Sequence, residues 1–324
     1  MKNRITILTS LILLNFINLK AHPGIGLVYD GDEIIYYTDL KQVWRLNIHT
    51  REKEIAVQDV HTHELYLDKE NNLYGEHYWY VESEEKFKNF IWRLDRNGDF
   101  QKIREDQDGE NDDFSFVKND DFASFEMRQA NDSYLIIKTD SISETILHEA
   151  KLHHPTWKYL SANEELLFID YPSIYSVKSG SLELIEENVS SKRFPFSTQS
   201  DNHNIYGVWT DESDNIYVAI YGGREVKKID KEGKLSRVLK SSFFWSPVNG
   251  VFDKDGDLWL MECKIGGKIR VREINRSEVE NSATFIFENI IFMLILISLG
   301  LVIYQRIKRR KNSYAQQNVI VKIP

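Results

Sequence analysis

The chain has 324 residues, of which 42% are hydrophobic and 28% are charged, and its mean hydropathy is −0.43. This composition excludes a disordered chain or a collagen-like repeat, and the length allows one or two domains. The single cysteine, Cys263, excludes an intramolecular disulfide framework. Residues 22–283 contain 32 basic and 49 acidic residues. Such an acidic body repels phosphate backbones, so no nucleic-acid partner is expected.

The first 21 residues have the pattern of a secretory signal peptide. Lys2 and Arg4 precede an apolar run from Ile5 to Leu19, and the small residue Ala21 offers a cleavage point before His22. The alternative is an uncleaved signal anchor, because Leu19 is larger than the residue usually found two positions before the end of a signal peptide. We favour cleavage, since the run is short for a membrane span.

A degenerate repeat fills residues 22–276. In each clear copy, an aspartate is followed five and six positions later by an aliphatic and an aromatic residue, with polar turn residues between them. The aspartates and aromatic residues are Asp30 and Tyr36, Asp68 and Tyr74, Asp211 and Tyr217, and Asp253 and Trp259. Turn residues between short β-rich stretches indicate hairpins. With two weaker copies, Phe114–Ala150 and Trp157–Val189, the chain has six units of roughly 40 residues, which is typical of propeller blades.

The clearest copies resemble NHL-repeat and gluconolactonase-type six-bladed propellers. The resemblance rests on Gly207–Ala219, Val226–Gly233 and Asn249–Leu260. It implies that residues 22–276 form an all-β, six-bladed β-propeller, and it is stronger in blades one, two, five and six than in residues 106–200. It is a resemblance of scaffold, which does not fix function. The last unit offers three strands ending near Ile274, and the sequence gives no account of how the ring closes.

Histidines are concentrated just before the strands that are expected to line the central channel. Six of the nine lie there: His22, His61, His63, His153, His154 and His203. His77 is expected at the end of the second strand of blade two, beside Glu76. His61 and His63 share one side of an extended chain, and imidazole with carboxylate suits zinc, copper, iron or manganese. The alternative is that these histidines only stabilise loop–strand junctions.

The resemblance suggests one further metal ligand and argues against one enzymatic activity. Asn249 matches an asparagine that holds a divalent cation in gluconolactonase-type enzymes, whereas their other two ligands have no counterpart here, so lactonase activity is not implied. For one divalent ion, the candidate ligands are His61, His63, His77, His153, His154, His203 and Asn249. The candidate catalytic residues are Glu64, Glu76 and Tyr206.

A second apolar run, residues 284–304, is long enough to cross a bilayer as a transmembrane helix. The basic cluster from Arg306 to Lys311 follows it and places residues 305–324 in the cytoplasm as a basic tail. Residues 277–283 are then a juxtamembrane linker, unless residues 275–283 add the missing strand. The body is expected outside the membrane, periplasmic or at the cell surface.

Two function classes follow from these expectations. The first is a membrane-anchored, extracytoplasmic propeller that binds a small molecule or an envelope protein at the mouth of its channel. The second is a metal-dependent hydrolase or lyase that uses histidines and glutamates at the same mouth. Membrane tethering favours the first class and the clustering of histidines favours the second, so the sequence leaves open whether the protein is an enzyme.

Overall fold

The structure is a computed structural model, and it describes residues 24–108, 124–139, 143–161, 165–190, 204–242, 244–264, 267–275, 298 and 304–307. The chain divides into two compact units, Met1–Glu280 and Asn281–Pro324. In the described part of the first unit, six antiparallel sheets follow one another along the chain, each built from consecutive strands. These sheets are the blades of the predicted six-bladed propeller.

Four blades contain four strands each. Blade 1 contains β1 (Leu27–Tyr29), β2 (Ile34–Thr38), β3 (Val43–Asn47) and β4 (Lys53–Val57). Blade 2 contains β5 (Leu65–Leu67), β6 (Leu73–Val81), β7 (Lys86–Leu94) and β8 (Phe100–Asp108). Blade 4 contains β12 (Pro155–Leu160), β13 (Leu166–Asp170), β14 (Ser173–Lys178) and β15 (Ser181–Glu186). Blade 5 contains β16 (Ile205–Thr210), β17 (Ile216–Ile220), β18 (Glu225–Ile229) and β19 (Leu235–Lys240).

The other two blades show three strands each among the described residues. Blade 3 contains β9 (Ser124–Ala130), β10 (Ser133–Thr139) and β11 (Glu144–Ala150). Blade 6 contains β20 (Trp245–Phe252), β21 (Leu258–Lys264) and β22 (Ile269–Ile274). The strand β11 is mostly exposed, as are the outermost strands β4 and β15. The described strands of blade 3 are therefore its outer ones, whereas those of blade 6 begin at the channel.

The repeated aspartate closes the first hairpin of a blade and also binds the aromatic residue six positions later. Asp68 accepts backbone N–H groups at positions 70 and 72, and its other oxygen accepts the Tyr74 hydroxyl at 2.9 Å. Asp253 does the same with Trp259, whose indole nitrogen lies 2.8 Å away. These bonds are local, so a six-residue spacing is enough to specify the turn and to orient the ring that packs inside the blade.

A polar insertion, Glu82–Asn89, lengthens the second hairpin of blade 2, between β6 and β7. The ladder between β6 and β7 continues from Leu73 to Val81, so each strand has nine residues. His77 therefore lies within β6, opposite Phe90, and not at the end of the strand as its spacing predicts. Within the insertion, residues 86–89 pair with residues 78–81 across the hairpin. The ladder therefore satisfies their backbone N–H and C=O groups.

Blades 6 and 1 meet through side chains. Asn249 donates its amide N–H to the carbonyl oxygen of Ile25 at 2.7 Å. The Arg51 guanidinium lies 4.5 Å from the centre of the Trp259 ring and pairs with Glu273. A shared core extends behind these contacts, with Ile25, Leu27, Ile35 and Tyr37 from blade 1 and Val248, Trp259, Met261 and Cys263 from blade 6. This core closes the ring between the two blades.

In the second unit, the structure describes Ser298 and the helical residues Tyr304–Ile307. The remainder of the predicted span, together with the predicted signal peptide 1–21 and the linker 277–283, lies outside the described residues. Among the residues that are described, no helix is long and apolar enough to cross a membrane.

Candidate functional site

A cavity of about 600 Å³ occupies the centre of the propeller. Its walls come from the innermost strands β1, β5, β12, β16 and β20, and the described residues of blade 3 are not among its lining. The volume falls within the roughly 300–1,000 Å³ of typical small-molecule sites. Polar residues of the lining include Glu64, Lys158, Tyr206 and Asn249, and Tyr29, Glu212 and Lys254 lie at or just after the ends of inner strands.

Among the charged residues of the lining, Glu64 of blade 2 and Lys158 of blade 4 interact electrostatically. Glu64 directly precedes β5 and is half-buried, whereas Lys158 lies in β12 with its Nζ shielded from solvent. Burial raises the pKa of Glu64 to about 7, although the positive charge of Lys158 opposes this rise. At neutral pH, the Glu64 carboxyl can therefore act as a hydrogen-bond donor as well as an acceptor.

A second buried carboxyl, that of Glu76, lies beside Glu64. The pair Leu65–Gly75 is the last of the β5–β6 ladder, so Glu64 and Glu76 directly follow it on the two chain segments, and the two groups repel each other electrostatically. Glu76 is 7% exposed, and its Oε1 has no hydrogen-bond partner among the described residues. Burial raises the pKa of Glu76 to about 8, with Arg104 lowering it and Glu64 raising it further.

Local packing fixes the backbone at this carboxyl pair. The Thr62 hydroxyl donates to the carbonyl oxygen of Glu76 at 2.6 Å, and the Thr38 hydroxyl of blade 1 donates to the carbonyl oxygen of Thr62 at 2.7 Å. A Cβ at Gly75 would lie 2.2 Å from the Trp92 ring, so only glycine allows this approach. The wall of blade 2 is therefore rigid where it carries Glu64 and Glu76.

The structure brings together three predicted histidines beside these carboxyls. The backbone N–H of His61 donates to Nδ1 of His77 at 2.9 Å, and the rings of His61 and His63 meet edge to face with centroids 4.8 Å apart. Burial lowers the pKa of His77, and the neighbouring His61 lowers it further. His77 therefore accepts a hydrogen bond through Nδ1 as a neutral imidazole.

His153 and His154 are exposed and have a different environment. Their backbone N–H groups donate to the buried carboxylate of Asp170 at 3.0 and 2.7 Å, and Nδ1 of His153 lies 3.3 Å from the same carboxylate. The side chain of His153 is 90% exposed. Asp170 thus anchors the segment before β12, and sequence reasoning missed it; the only available signal was an acidic residue at the end of an apolar strand.

The other predicted site residues have structural contacts. Asn249 donates to the carbonyl oxygen of Ile25, and its side-chain oxygen accepts the Gly250 N–H at 2.9 Å. Tyr206 is buried and packs edge to face on Tyr221, with ring centres 5.1 Å apart. His22 and His203 lie outside the described residues.

Within the described residues, no group of three or more His, Cys, Asp or Glu side chains is arranged to hold a metal ion. The histidines of blade 2 contact one another, while His153 and His154 are bound to Asp170. Asn249, the ligand that the resemblance implies, uses both polar atoms of its amide within the protein. The described donors therefore do not fit the cation site of gluconolactonase-type enzymes. A site completed by His22 or His203 stays a prediction.

Solved structures with a related fold share little sequence with this chain. A gluconolactonase from Xanthomonas campestris is 13% identical, covers 78% of this chain and 87% of its own, and has a TM-score of 0.51. A protein of unknown function from Bacteroides thetaiotaomicron is 13% identical over 78% and 70% of the two chains, with a TM-score of 0.50. A streptogramin B lyase is 14% identical over 79% and 96%, with a TM-score of 0.46.

This chain has the six-bladed propeller fold of gluconolactonase-type proteins. The predicted resemblance is thus confirmed for the fold. No protein-family model and no curated protein matches the chain. Because one scaffold carries many activities, the likeness leaves the chemistry to the residues of the site.

Two charged residues of the site were missed from the sequence. Lys158 is a charged residue inside the short, largely apolar stretch Pro155–Leu160, which was the available signal. Arg104 lies in β8, and its guanidinium donates to the Asn89 side chain. Their roles depend on neighbours in other strands, and no local pattern specifies those neighbours.

Proposed function

We propose that this chain is a membrane-anchored, extracytoplasmic propeller that binds a small polar molecule in its central cavity. The mouth beside blade 2 supplies the specific contacts. Glu64 gives or accepts a hydrogen bond, and Lys158 provides a positive charge across the cavity. The backbone edges of the inner strands add N–H and C=O groups, which lack a neighbouring strand on the channel side.

The main support for small-molecule binding is the position of Glu64 in the cavity wall. The cavity has the volume of a small-molecule site and is lined by strands from five blades, which together form a preorganised enclosure. A titratable side chain in the wall, next to the buried Glu76, is the kind of polar group that orients a ligand. Perturbed carboxyls in a cleft are typical of functional sites.

Support for the location comes from the sequence. An N-terminal run with basic flanks, and a C-terminal apolar run followed by basic residues, favour a body outside and a tail inside. A reporter fused after Pro324 is expected to be active only in the cytoplasm. Activity of that reporter outside the cytoplasm would contradict the proposed topology.

Ligand binding is tested on the full chain in detergent. Thermal shifts with sugars, aldonic acids, lactones, amino acids and quaternary amines identify the chemical class, and calorimetry then measures its Kd. We expect Glu64→Gln to weaken binding at least tenfold, roughly 1.4 kcal/mol, because it removes a charged hydrogen-bond partner. The matched control Glu232→Gln, in an exposed turn of blade 5, is expected to leave the Kd unchanged.

Two results would contradict the binding role. One is that none of these compound classes binds. The other is a ligand whose Kd changes neither in Glu64→Gln nor in Lys158→Met, because such a ligand would not occupy this part of the cavity.

A second candidate is a hydrolase or lyase at the same wall, and the adjacent carboxyls of Glu64 and Glu76 favour it. A general acid and a general base work best with pKa values near the working pH, and these two groups have pKa values of about 7 and 8. Turnover of a lactone or ester panel, with and without zinc, manganese or calcium, tests this candidate. Activity that persists in the variant Glu64→Gln/Glu76→Gln would exclude these carboxyls as the catalytic pair.

A further inference from the structure

The loop between blades 5 and 6 exposes an aromatic side chain. Phe244 directly precedes β20 and is 55% exposed. In the described part of the propeller, the other exposed large apolar side chains lie inside strands. A single exposed ring is common on protein surfaces, so the residues around Phe244 decide what it can contact.

Basic side chains surround this ring. The Nζ of Lys264 lies 5.8 Å from the centre of the Phe244 ring, and the Arg270 guanidinium lies 4.0 Å from the centre of the Trp245 ring. The backbone N–H of Lys264 donates to the carbonyl oxygen of the exposed Lys268 at 2.8 Å. We call these five residues, Phe244, Trp245, Lys264, Lys268 and Arg270, the aromatic–basic rim of blade 6.

The aromatic–basic rim is positively charged in an otherwise acidic body. Among the described residues, the carboxylate that pairs with the rim is that of Glu262, which is completely buried. The nine residues that follow β22 add Arg276, Glu278 and Glu280, so residues 264–283 contain five basic and three acidic residues. An excess of basic residues therefore extends from the rim to the predicted membrane span.

The predicted membrane anchor lies close to the rim along the chain, and this step rests on the proposed anchor. The nine residues 275–283 reach about 30 Å when extended, and the six residues of β22 rise about 20 Å. The segment is therefore long enough for the start of β22, beside the rim, to lie at the membrane surface. If these residues instead add a strand antiparallel to β22, that strand would also end beside the rim.

The composition of the rim decides among its possible occupants. A second copy binding through the same surface would oppose two positively charged rims, and like charges facing each other disfavour association. Aromatic rings are enriched at the level of lipid headgroups, and lysine and arginine side chains are attracted to anionic lipids. Rings and lysines on one surface therefore match a membrane interface.

We propose that the aromatic–basic rim of blade 6 contacts the anionic surface of the membrane that anchors the chain. Phe244 enters the interfacial layer, and Lys264 and Lys268 contact phospholipid headgroups. The anchor and the rim then hold the propeller at two points, so the contact sets the orientation of the propeller on the membrane.

The experiment uses the full chain in nanodiscs whose phosphatidylglycerol carries bromine on its acyl chains, because bromine quenches tryptophan fluorescence at close range. Trp245 is one of seven tryptophans, so we expect the wild type to lose about a tenth of its emission. Trp245→Phe is expected to lose about half as much or less. Brominated phosphatidylcholine is expected to quench the wild type at least about twofold less, because it lacks net charge.

Matched charge reversals locate the contact. Lys264→Glu/Lys268→Glu is expected to reduce the loss of emission at least about twofold. Salt at about 1 M is expected to act in the same way, since the Debye length is then about 3 Å. The control is Lys231→Glu/Lys234→Glu, in the exposed turn at the other end of blade 5, and it is expected to behave as the wild type.

A second pair of variants tests the aromatic part of the rim. Phe244→Ser is expected to reduce the loss of emission at least about twofold, because it removes the ring from the interfacial layer. Leu184→Ser, on the exposed outer strand β15, is the matched control and is expected to leave the loss unchanged.

Three results would overturn the proposal. They are equal losses in the wild type and Trp245→Phe, equal losses with the two lipids at low salt, and two chains in each nanodisc that separate in Phe244→Ser, which would assign the rim to a second copy. A chain that does not stay with the nanodiscs would instead contradict the proposed anchor. Vesicles of the same brominated lipids would then test the rim by itself, so the two failures are distinguishable.

Discussion

Two glutamates are buried on the second strands of blades 2 and 6, and their surroundings differ. Glu262 in β21 is fully buried, and three N–H groups of Arg270 and Arg272 converge on its Oε2. Glu76 in β6 is 7% exposed, with Glu64 as a neighbouring acid and Arg104 as a longer-range positive charge. In blade 6, Glu262 thus forms an ion-pair cluster with Arg270 and Arg272, which we call the latch. In blade 2, Glu76 and Glu64 form the proton-holding pair.

The difference shows how local charge decides what a buried carboxyl does. Direct donation by guanidiniums stabilises the ionised form of a carboxylate. Burial beside a second carboxyl favours the protonated form and raises the pKa. The Glu262 cluster joins β21 to β22 within blade 6, whereas Glu64 of the blade 2 pair lines the cavity and Glu76 lies beside it. The contrast therefore separates a structural role from the proposed functional one.

We expect the greatest loss of stability when the ion pairs of Glu262 are removed. Glu262→Gln removes a fully buried counter-charge from Arg270 and Arg272, whose side chains are 33% and 31% exposed, so the free energy of unfolding is expected to fall by about 3 kcal/mol. Urea unfolding measures this loss, with Glu183→Gln on the exposed outer strand β15 as the matched control. A loss no larger than that of the control would contradict the latch role.

The next prediction concerns Glu76 and the pH dependence of the free energy of unfolding. The pKa of Glu76 rises from 4.5 to about 8 on folding, so the native state holds a proton that the unfolded state releases. The wild-type chain should therefore be most stable below about pH 4.5 with respect to this group, and this stability is lost as the pH rises through 8.

Glu76→Gln carries a permanently neutral side chain and should not show this loss. At pH 9 it is expected to exceed the wild type in unfolding free energy by at least about 2 kcal/mol, and near pH 4 the two should be equal. Thermal melts across this pH range measure the difference. Parallel melting curves for the two proteins would show that Glu76 is not protonated in the native state.

A smaller effect is expected at the contact between blades 6 and 1. Asn249→Ala removes the hydrogen bond to Ile25, and the unfolding free energy is expected to fall by about 1 kcal/mol. Asn97→Ala, in an exposed turn of blade 2, is the control. If both substitutions cost the same, then the Asn249 amide does not contribute to ring closure.

The sequence predicted the blades where the decisive contacts are local. The aspartates at positions 68, 211 and 253 bind an aromatic residue six positions later, so the spacing alone identifies the hairpin. The weak copies at Phe114–Ala150 and Trp157–Val189 contain the described strands of blades 3 and 4. They lack the aspartate–aromatic pair, and their length and position revealed them.

The site was less predictable because its contacts join distant parts of the chain. The histidine run lies on blade 2, where the backbone N–H of His61 donates to His77. It did not predict that Lys158 would act on Glu64, since that interaction requires the ring to bring blades 2 and 4 together. His153 and His154 were grouped with blade 2 by residue type, whereas their contacts are with Asp170.

The most direct test is to observe the proton on the carboxyl pair at the cavity wall. Infrared spectroscopy of the full chain follows the C=O band of protonated carboxyls in the wild type and in the variant Glu64→Gln/Glu76→Gln. We expect the wild type to keep this band at pH 7 and to lose it above pH 8, and the variant to lack it under both conditions. Identical spectra for the two proteins at pH 7 would contradict the assignment of blade 2 as the functional wall.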